Sequence, residues 1–136
     1  MQSIDAIVEM PPGDAEIAVR SALAEQGFGV LTEIDVAAVF QAKLGVARPF
    51  LKILGACNPT FAQRALQIDP SVSLLLPCNV VVEDVGHVTR ISAVNPLGLM
   101  DDAAFAELGS EVSTRLRQAI DAVADATGNQ TSTSQA

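Results

Sequence analysis

The sequence contains no tryptophan, no tyrosine and a single histidine, His87. Without Trp or Tyr, stacking of bases or sugars would rest on five phenylalanines, which have the surroundings of core residues. One histidine excludes a metal site built mainly on imidazole, and neither an HExxH nor a CxxC motif occurs. A Gly-Lys-Ser/Thr phosphate-binding loop is also absent, and Gly27-Phe28-Gly29 lacks the third glycine of a dinucleotide fingerprint. These absences favour a non-enzymatic role over a hydrolase or a nucleotide-dependent enzyme, and they indicate no particular cofactor.

Positive charge is also scarce. Eight basic residues stand against 16 acidic ones, which gives a net charge of −8. Because this sign repels phosphate backbones and anionic lipids, we expect neither nucleic-acid binding nor membrane binding. The apolar runs are far shorter than the ~20 residues of a membrane helix. The first five residues lack the basic and apolar pattern of a secretory signal, so we expect a cytoplasmic protein with two reduced cysteines.

The length of 136 residues, of which 49% are hydrophobic, predicts one domain with a well-formed core. The last ten residues are uncharged and rich in Ser and Thr. We therefore predict a single domain over 1–126 and a disordered tail over 127–136.

Helix and strand signals alternate along the chain. Asp14 is the expected N-cap of a first helix, and Asp35 caps a short second helix. Asn58, followed by Pro59, is a strong start signal for a third helix that ends near Ile68. The short second helix carries an apolar stripe at helical spacing, made of Val36, Val39, Phe40 and Leu44.

The later half of the chain predicts a hairpin and a long helix. The turn residues 83–86 separate two apolar strands, and strands joined by a tight hairpin favour an antiparallel sheet. One face of the last helix is apolar throughout, with Phe105, Leu108, Val112, Leu116, Ala119 and Val123. The class predicted is α+β, with an antiparallel sheet covered on one face by helices that include a long C-terminal helix.

Two segments place a cysteine before an asparagine at a boundary of regular structure. The residues that we single out there as ligand-binding candidates are Gly55, Cys57, Asn58, Pro59, Pro77, Cys78 and Asn79. The start of a helix can lower the pKa of a neighbouring thiol such as Cys57, which would make it reactive. The alternative is that Cys57 and Cys78 are small buried hydrophobic residues.

Both cysteines together leave a further alternative open. A shared site with His87 is unfavourable, because a hairpin would hold Cys78 and His87 roughly 15–20 Å apart. The strands that carry Cys57 and Cys78 can be neighbours, so a disulfide or a two-thiolate site for a soft metal is geometrically open.

The sequence resembles the DUF302 family of small bacterial and archaeal domains of unassigned function. The resemblance rests on Ile53-Leu54-Gly55-Ala56-Cys57-Asn58-Pro59 and on Leu74-Leu75-Leu76-Pro77-Cys78-Asn79-Val80-Val81-Val82, with support from Asn95-Pro96 and Glu33-Ile34-Asp35. It implies a fold like that of the TATA-binding protein, assembled as a homodimer, and it implies no reaction.

Three functions are consistent with these residues. The first is a non-enzymatic module that binds a small apolar ligand between the sheet and the long helix. The second is thiol-based redox chemistry or soft-metal binding at Cys57 and Cys78, and the third is an interaction module in which the last helix or a sheet edge forms the dimer.

Overall fold

The computed structural model of the chain describes residues 2–100, 102–127 and 131–134. Within them the strands are β1 Ser3–Val8, β2 Gly29–Asp35, β3 Leu51–Cys57, β4 Cys78–Asp84, β5 Thr89–Val94 and β6 Thr131–Ser134. The α-helices are α1 Pro12–Glu25, α2 Val36–Leu44, α3 Pro59–Ile68, α4 Pro96–Leu99 and α5 Ala106–Thr127. Two 3₁₀ turns, Pro70–Leu75 and Ala103–Phe105, precede β4 and α5.

The strands form one sheet in the order β2-β3-β4-β5-β1-β6, and every neighbouring pair is antiparallel. The predicted hairpin is the β4–β5 pair, which turns at Gly86 and His87. Both residues have positive φ, at 90° and 54°, as the central positions of a tight two-residue turn require. The predicted α+β class with an antiparallel sheet is confirmed.

The core lies between one face of the sheet and helices α1 and α5. Alternate strand residues point to this face, which is why burial follows a period of two along β1 and β5. The apolar face predicted for the last helix is buried at all six positions. Five of them lie on α5, at Leu108, Val112, Leu116, Ala119 and Val123, and Phe105 ends the 3₁₀ turn just before it. None of the helices in the described part of the chain is long and apolar enough to span a membrane.

Two of the three predicted helix caps are confirmed. The Asp35 carboxylate accepts a hydrogen bond from the Ala38 N–H, and Asn58 caps α3. The prediction for Asp14 is wrong, because α1 begins at Pro12 and places Asp14 in its first turn. Proline is well suited to the first helical position, where its missing N–H costs nothing, and this preference places the start three residues upstream of the one predicted.

An ionic network ties α1 to β2 and β3 at the edge of the core. Lys52 Nζ lies 2.9 Å from Glu16 Oε1 and 3.9 Å from Glu33, while Arg20 bonds to both Glu16 and Glu33. Burial raises the pKa of Glu16, but the hydrogen bonds from Lys52 and Arg20 outweigh it, so the pKa is lowered overall. These ion pairs therefore hold β2 and β3 to α1 at the edge of the apolar core.

Two stretches of the described chain lie within 127–136, the segment for which the sequence predicts a disordered tail. Helix α5 extends through Thr127, and residues 131–134 pair with β1 as strand β6. The unpaired edge of β1 offers backbone hydrogen bonds, and two β-branched threonines favour the extended conformation that uses them. The remainder of 127–136 lies outside the described residues.

Candidate functional site

A small apolar cavity lies where the end of β3 and the start of β4 meet helices α3 and α5. Its volume is about 30 Å³. Its lining residues are Phe28, Ala56, Cys57, Asn58, Phe61, Ala62, Ala65, Leu76, Cys78, Met100, Leu108 and Val112. Ligand sites for small molecules usually occupy about 300–1,000 Å³, whereas this space is on the order of one or two water molecules.

The seven predicted site residues divide between the cavity and its surroundings. Cys57, Asn58 and Cys78 line the cavity. Pro59 and Asn79 are exposed outside it, Pro77 is half-buried, and Gly55 is fully enclosed. The structure thus brings together three of the seven, and a ligand role for any of them stays a prediction.

Both the oxygen and the nitrogen of the Asn58 side-chain amide make hydrogen bonds to the backbone. Its Oδ1 accepts hydrogen bonds from the N–H groups of Thr60 (3.1 Å) and Phe61 (3.3 Å), while its Nδ2 donates to the Gln26 carbonyl at 3.4 Å. Gly27, at a φ of +84°, leaves room for this amide, because a Cβ there would lie 2.8 Å from Nδ2. Asn58 therefore joins the start of α3 to the end of α1 at the rim of the cavity.

The two cysteines lie on neighbouring strands, as the sequence predicts. The register sets Cys78 opposite Ala56, and Cys57 follows Ala56 on the same strand. Both are free, half-buried thiols. Burial raises the pKa of the Cys78 thiol from 9.0 to about 11, and the nearby Cys57 adds to the rise. At neutral pH Cys78 is thus a protonated, weakly nucleophilic thiol.

We expect Cys78 to react slowly with iodoacetamide in the folded protein. A pKa that is about two units higher leaves about 100-fold less thiolate at neutral pH, and burial slows access further. Peptide mass mapping should show alkylation of Cys78 at pH 7.5 at least about 100-fold more slowly without urea than in 8 M urea. Equal rates in the two conditions would contradict the burial and the raised pKa.

The structure brings together no metal-binding cluster from the described residues. No group of three or more His, Cys, Asp or Glu side chains converges within them. His87 is exposed in the turn that follows the last residue of β4, whereas Cys78 is the first residue of that strand. The separation between Cys78 and His87 that the hairpin predicts is therefore confirmed.

Sequence reasoning did not identify most of the cavity wall. Phe28, Leu76 and Met100 come from three connections that are distant along the chain, and no local pattern links them. Leu108 and Val112 carry a signal, since they belong to the apolar face of the last helix.

A second candidate site is an exposed apolar surface at the β2 end of the sheet, called here the β2–α2 surface. It consists of Leu31, Ile34, Val39, Phe40, Leu44 and Val46. Leu31 and Leu44 are 68% and 67% exposed. Helix α2 contains no buried residue, even though Lys43 is the only charged residue in it. The apolar stripe predicted for α2 is thus formed, but nothing within the described residues covers it.

The face of the sheet that points away from α1 and α5, called here the open face, is also incompletely covered. Among the described residues of β1–β5, Gly55 is the one buried residue on this face. Ile34, Ile53 and Val81 lie side by side across β2, β3 and β4 because the register pairs Ile34 with Ile53 and Ile53 with Val81. These three residues form an apolar row that begins at Ile34 of the β2–α2 surface and extends across β3 to β4.

Comparison with known proteins gives a consistent assignment. The family described as "Domain of unknown function DUF302" matches residues 5–123. A crystal structure described as an uncharacterized conserved protein DUF302 from Bacillus stearothermophilus has a TM-score of 0.82 and 29% sequence identity, and the match covers 89% of this chain and 97% of that chain. No curated protein matches the sequence. Since the family match includes both cysteine–asparagine segments and nearly all of the sheet, the chain belongs to the DUF302 family.

Proposed function

We propose that this protein is a non-enzymatic interaction module that acts as a homodimer, with the β2–α2 surface at the centre of the contact. The observation that carries the proposal is the exposure of six large apolar side chains within residues 31–46. These side chains come from one short stretch of the chain, and exposed apolar patches of several hundred Å² often mark sites of association.

The area of the surface is consistent with a stable interface. The exposed fractions of the six side chains leave on the order of 500 Å² of apolar surface per chain, against about 800 Å² per partner in a standard interface. The polar rim of such an interface supplies the difference. At about 25 cal/mol per Å², burial of this surface on both chains provides a strong driving force for association.

The contact is expected to use side chains instead of a continuous sheet. Strand β2 is an edge strand, but its register shifts between Val30 and Thr32, where it is bulged. Bulges and charged residues are features that protect an edge from pairing with another strand, and Glu33 and Asp35 add two charges to this edge.

Leu44→Lys tests the proposal directly. Sedimentation equilibrium should give twice the 14.1 kDa chain mass for the wild type and a dimer dissociation constant at least about 30-fold higher for the variant. Leu74→Lys is the matched control, because Leu74 is 87% exposed outside the β2–α2 surface and should leave the dimer intact. A wild-type chain that is monomeric at 100 µM would overturn the proposal.

The predicted small-ligand role has one observation in its favour, which is the apolar lining of the cavity beside Cys57 and Cys78. Its present volume is far below that of a ligand site, so binding would require Met100 or α3 to move. Native and denatured mass spectra of untagged protein test this role. A mass that is lost on denaturation would support a bound ligand, and identical masses would count against tight binding.

A further inference from the structure

We propose that Cys57, Cys78 and Met100 form a site for one Cu(I) ion, with the sulfur atoms of the two cysteines and the methionine as its ligands. All three residues line the small apolar cavity between the sheet and helices α3 and α5. They come from the end of β3, the start of β4 and the residue after α4, so the fold assembles the set from three separate parts of the chain. The site does not depend on the proposed homodimer, because none of its residues belongs to the β2–α2 surface.

The cavity has room for an ion and not for an organic ligand. Its volume of about 30 Å³ is on the order of one or two water molecules, whereas small-molecule sites usually occupy about 300–1,000 Å³. Cys78 and Met100 are both partly buried and both pack against the core at this point. A single ion can therefore enter without a rearrangement of the surrounding helices.

The donor atoms that line the cavity are soft. The other lining residues are apolar except for Asn58, whose amide oxygen and nitrogen are both engaged in backbone hydrogen bonds. Three His, Cys, Asp or Glu side chains converge nowhere in the described part of the chain, so the usual ligands of Zn(II) are not assembled there. Thiolate and thioether sulfur select Cu(I). A methionine in the set therefore favours Cu(I) over Zn(II).

The two thiols lie close to each other, as ligands of one ion must. The register pairs Cys78 with Ala56, the residue before Cys57, and the charge of Cys57 contributes to the raised pKa of Cys78. Two thiolates and one Cu(I) leave one negative charge in excess. Cys57 lies one residue before the N-cap of α3, and the partial positive charge at the start of this helix stabilises such a complex.

Binding releases the proton that Cys78 carries at neutral pH. Burial raises the pKa of this thiol to about 11, and the ion replaces the proton when the Cys78 thiolate forms. Neither an oxidant nor a reductant is consumed, because the copper stays monovalent and the sulfurs keep their oxidation state. Since the proton competes with the ion below this pKa, the dissociation constant for Cu(I) should fall at least about tenfold for each unit of pH between pH 6 and 8.

Competition with bathocuproine disulfonate, a colorimetric Cu(I) chelator, tests the site on the full chain under anaerobic conditions with ascorbate. We expect one Cu(I) per wild-type chain. Because loss of a group that only orients a metal ligand costs about 10–100-fold in affinity, Cys57→Ser and Cys78→Ser should each raise the dissociation constant at least about 100-fold. Met100→Leu conserves the volume but removes the sulfur, and it should raise the constant at least about 10-fold. Met10→Leu is its matched control, since Met10 is also partly buried but lies outside the cavity, and it should leave the constant unchanged.

X-ray absorption at the copper edge counts the ligands directly. We expect three sulfur neighbours in the wild type, two in Met100→Leu, and no nitrogen or oxygen neighbour in either. A wild-type chain that does not retain Cu(I) against the chelator would overturn the proposal, and so would a sulfur count that is the same in Met100→Leu as in the wild type. Sedimentation equilibrium should give the wild-type mass for Met100→Leu, so failure of the copper site and failure of the homodimer are separate results.

Discussion

Replacement of Leu116 by alanine is expected to lower the free energy of unfolding by about 3–5 kcal/mol. Leu116 is fully buried at the middle of α5, where this helix packs on α1 and the sheet. The substitution removes three heavy atoms that contact the core on all sides. The surrounding strands and helices cannot close the space, so the loss of burial is increased by the cost of a cavity.

Urea unfolding followed by circular dichroism measures this change. Wild type and variant are compared at one protein concentration, because dissociation of a dimer makes the transition concentration-dependent. Leu74→Ala is the control, since the same atoms are removed from a side chain that is 87% exposed, and we expect a change within about 0.5 kcal/mol. A loss below about 1 kcal/mol for Leu116→Ala would mean that α5 does not pack as described.

The features that the sequence predicts well are those that local chemistry determines. Asn58 followed by Pro59 identifies the start of α3, because the amide oxygen accepts hydrogen bonds from two N–H groups of the first turn and the proline has no N–H that would be left unpaired. The last helix reveals its buried face because its apolar residues repeat at helical spacing over five turns. The cysteine-bearing strands are adjacent as expected, since one short helix connects them to the neighbouring position in the sheet.

The features that the sequence does not predict depend on what covers a surface. The stripe of α2 has the same pattern as the stripe of α5, yet one is exposed and the other is buried. Periodicity shows that a helix has an apolar side, but the partner of that side is decided by the path of the whole chain. For the same reason, the sequence does not predict that Phe28 and Met100 line the cavity.

Gly55 is a predicted ligand-binding residue for which the structure gives a packing role. The sequence places it among the ligand-binding candidates, whereas the structure encloses it beneath Thr32 and Pro77 on the open face. A Cβ at Gly55 would lie closer than van der Waals contact to Thr32 Oγ1 and 2.8 Å from Pro77 Cγ. The absence of a side chain allows these two residues to cover the middle of β3.

We therefore expect Gly55→Ala to destabilise the protein by about 1–3 kcal/mol through overpacking. Chemical unfolding of a double-mutant cycle identifies the cause. Thr32 is exposed, so Thr32→Ala alone should change stability by less than about 1 kcal/mol, while the Thr32→Ala/Gly55→Ala pair should recover part of the loss. Recovery remains partial because the proline ring is still in contact with the new methyl group. Additive effects in the cycle would show that Thr32 and Gly55 do not pack together, and an unchanged stability for Gly55→Ala would return Gly55 to the ligand-binding interpretation.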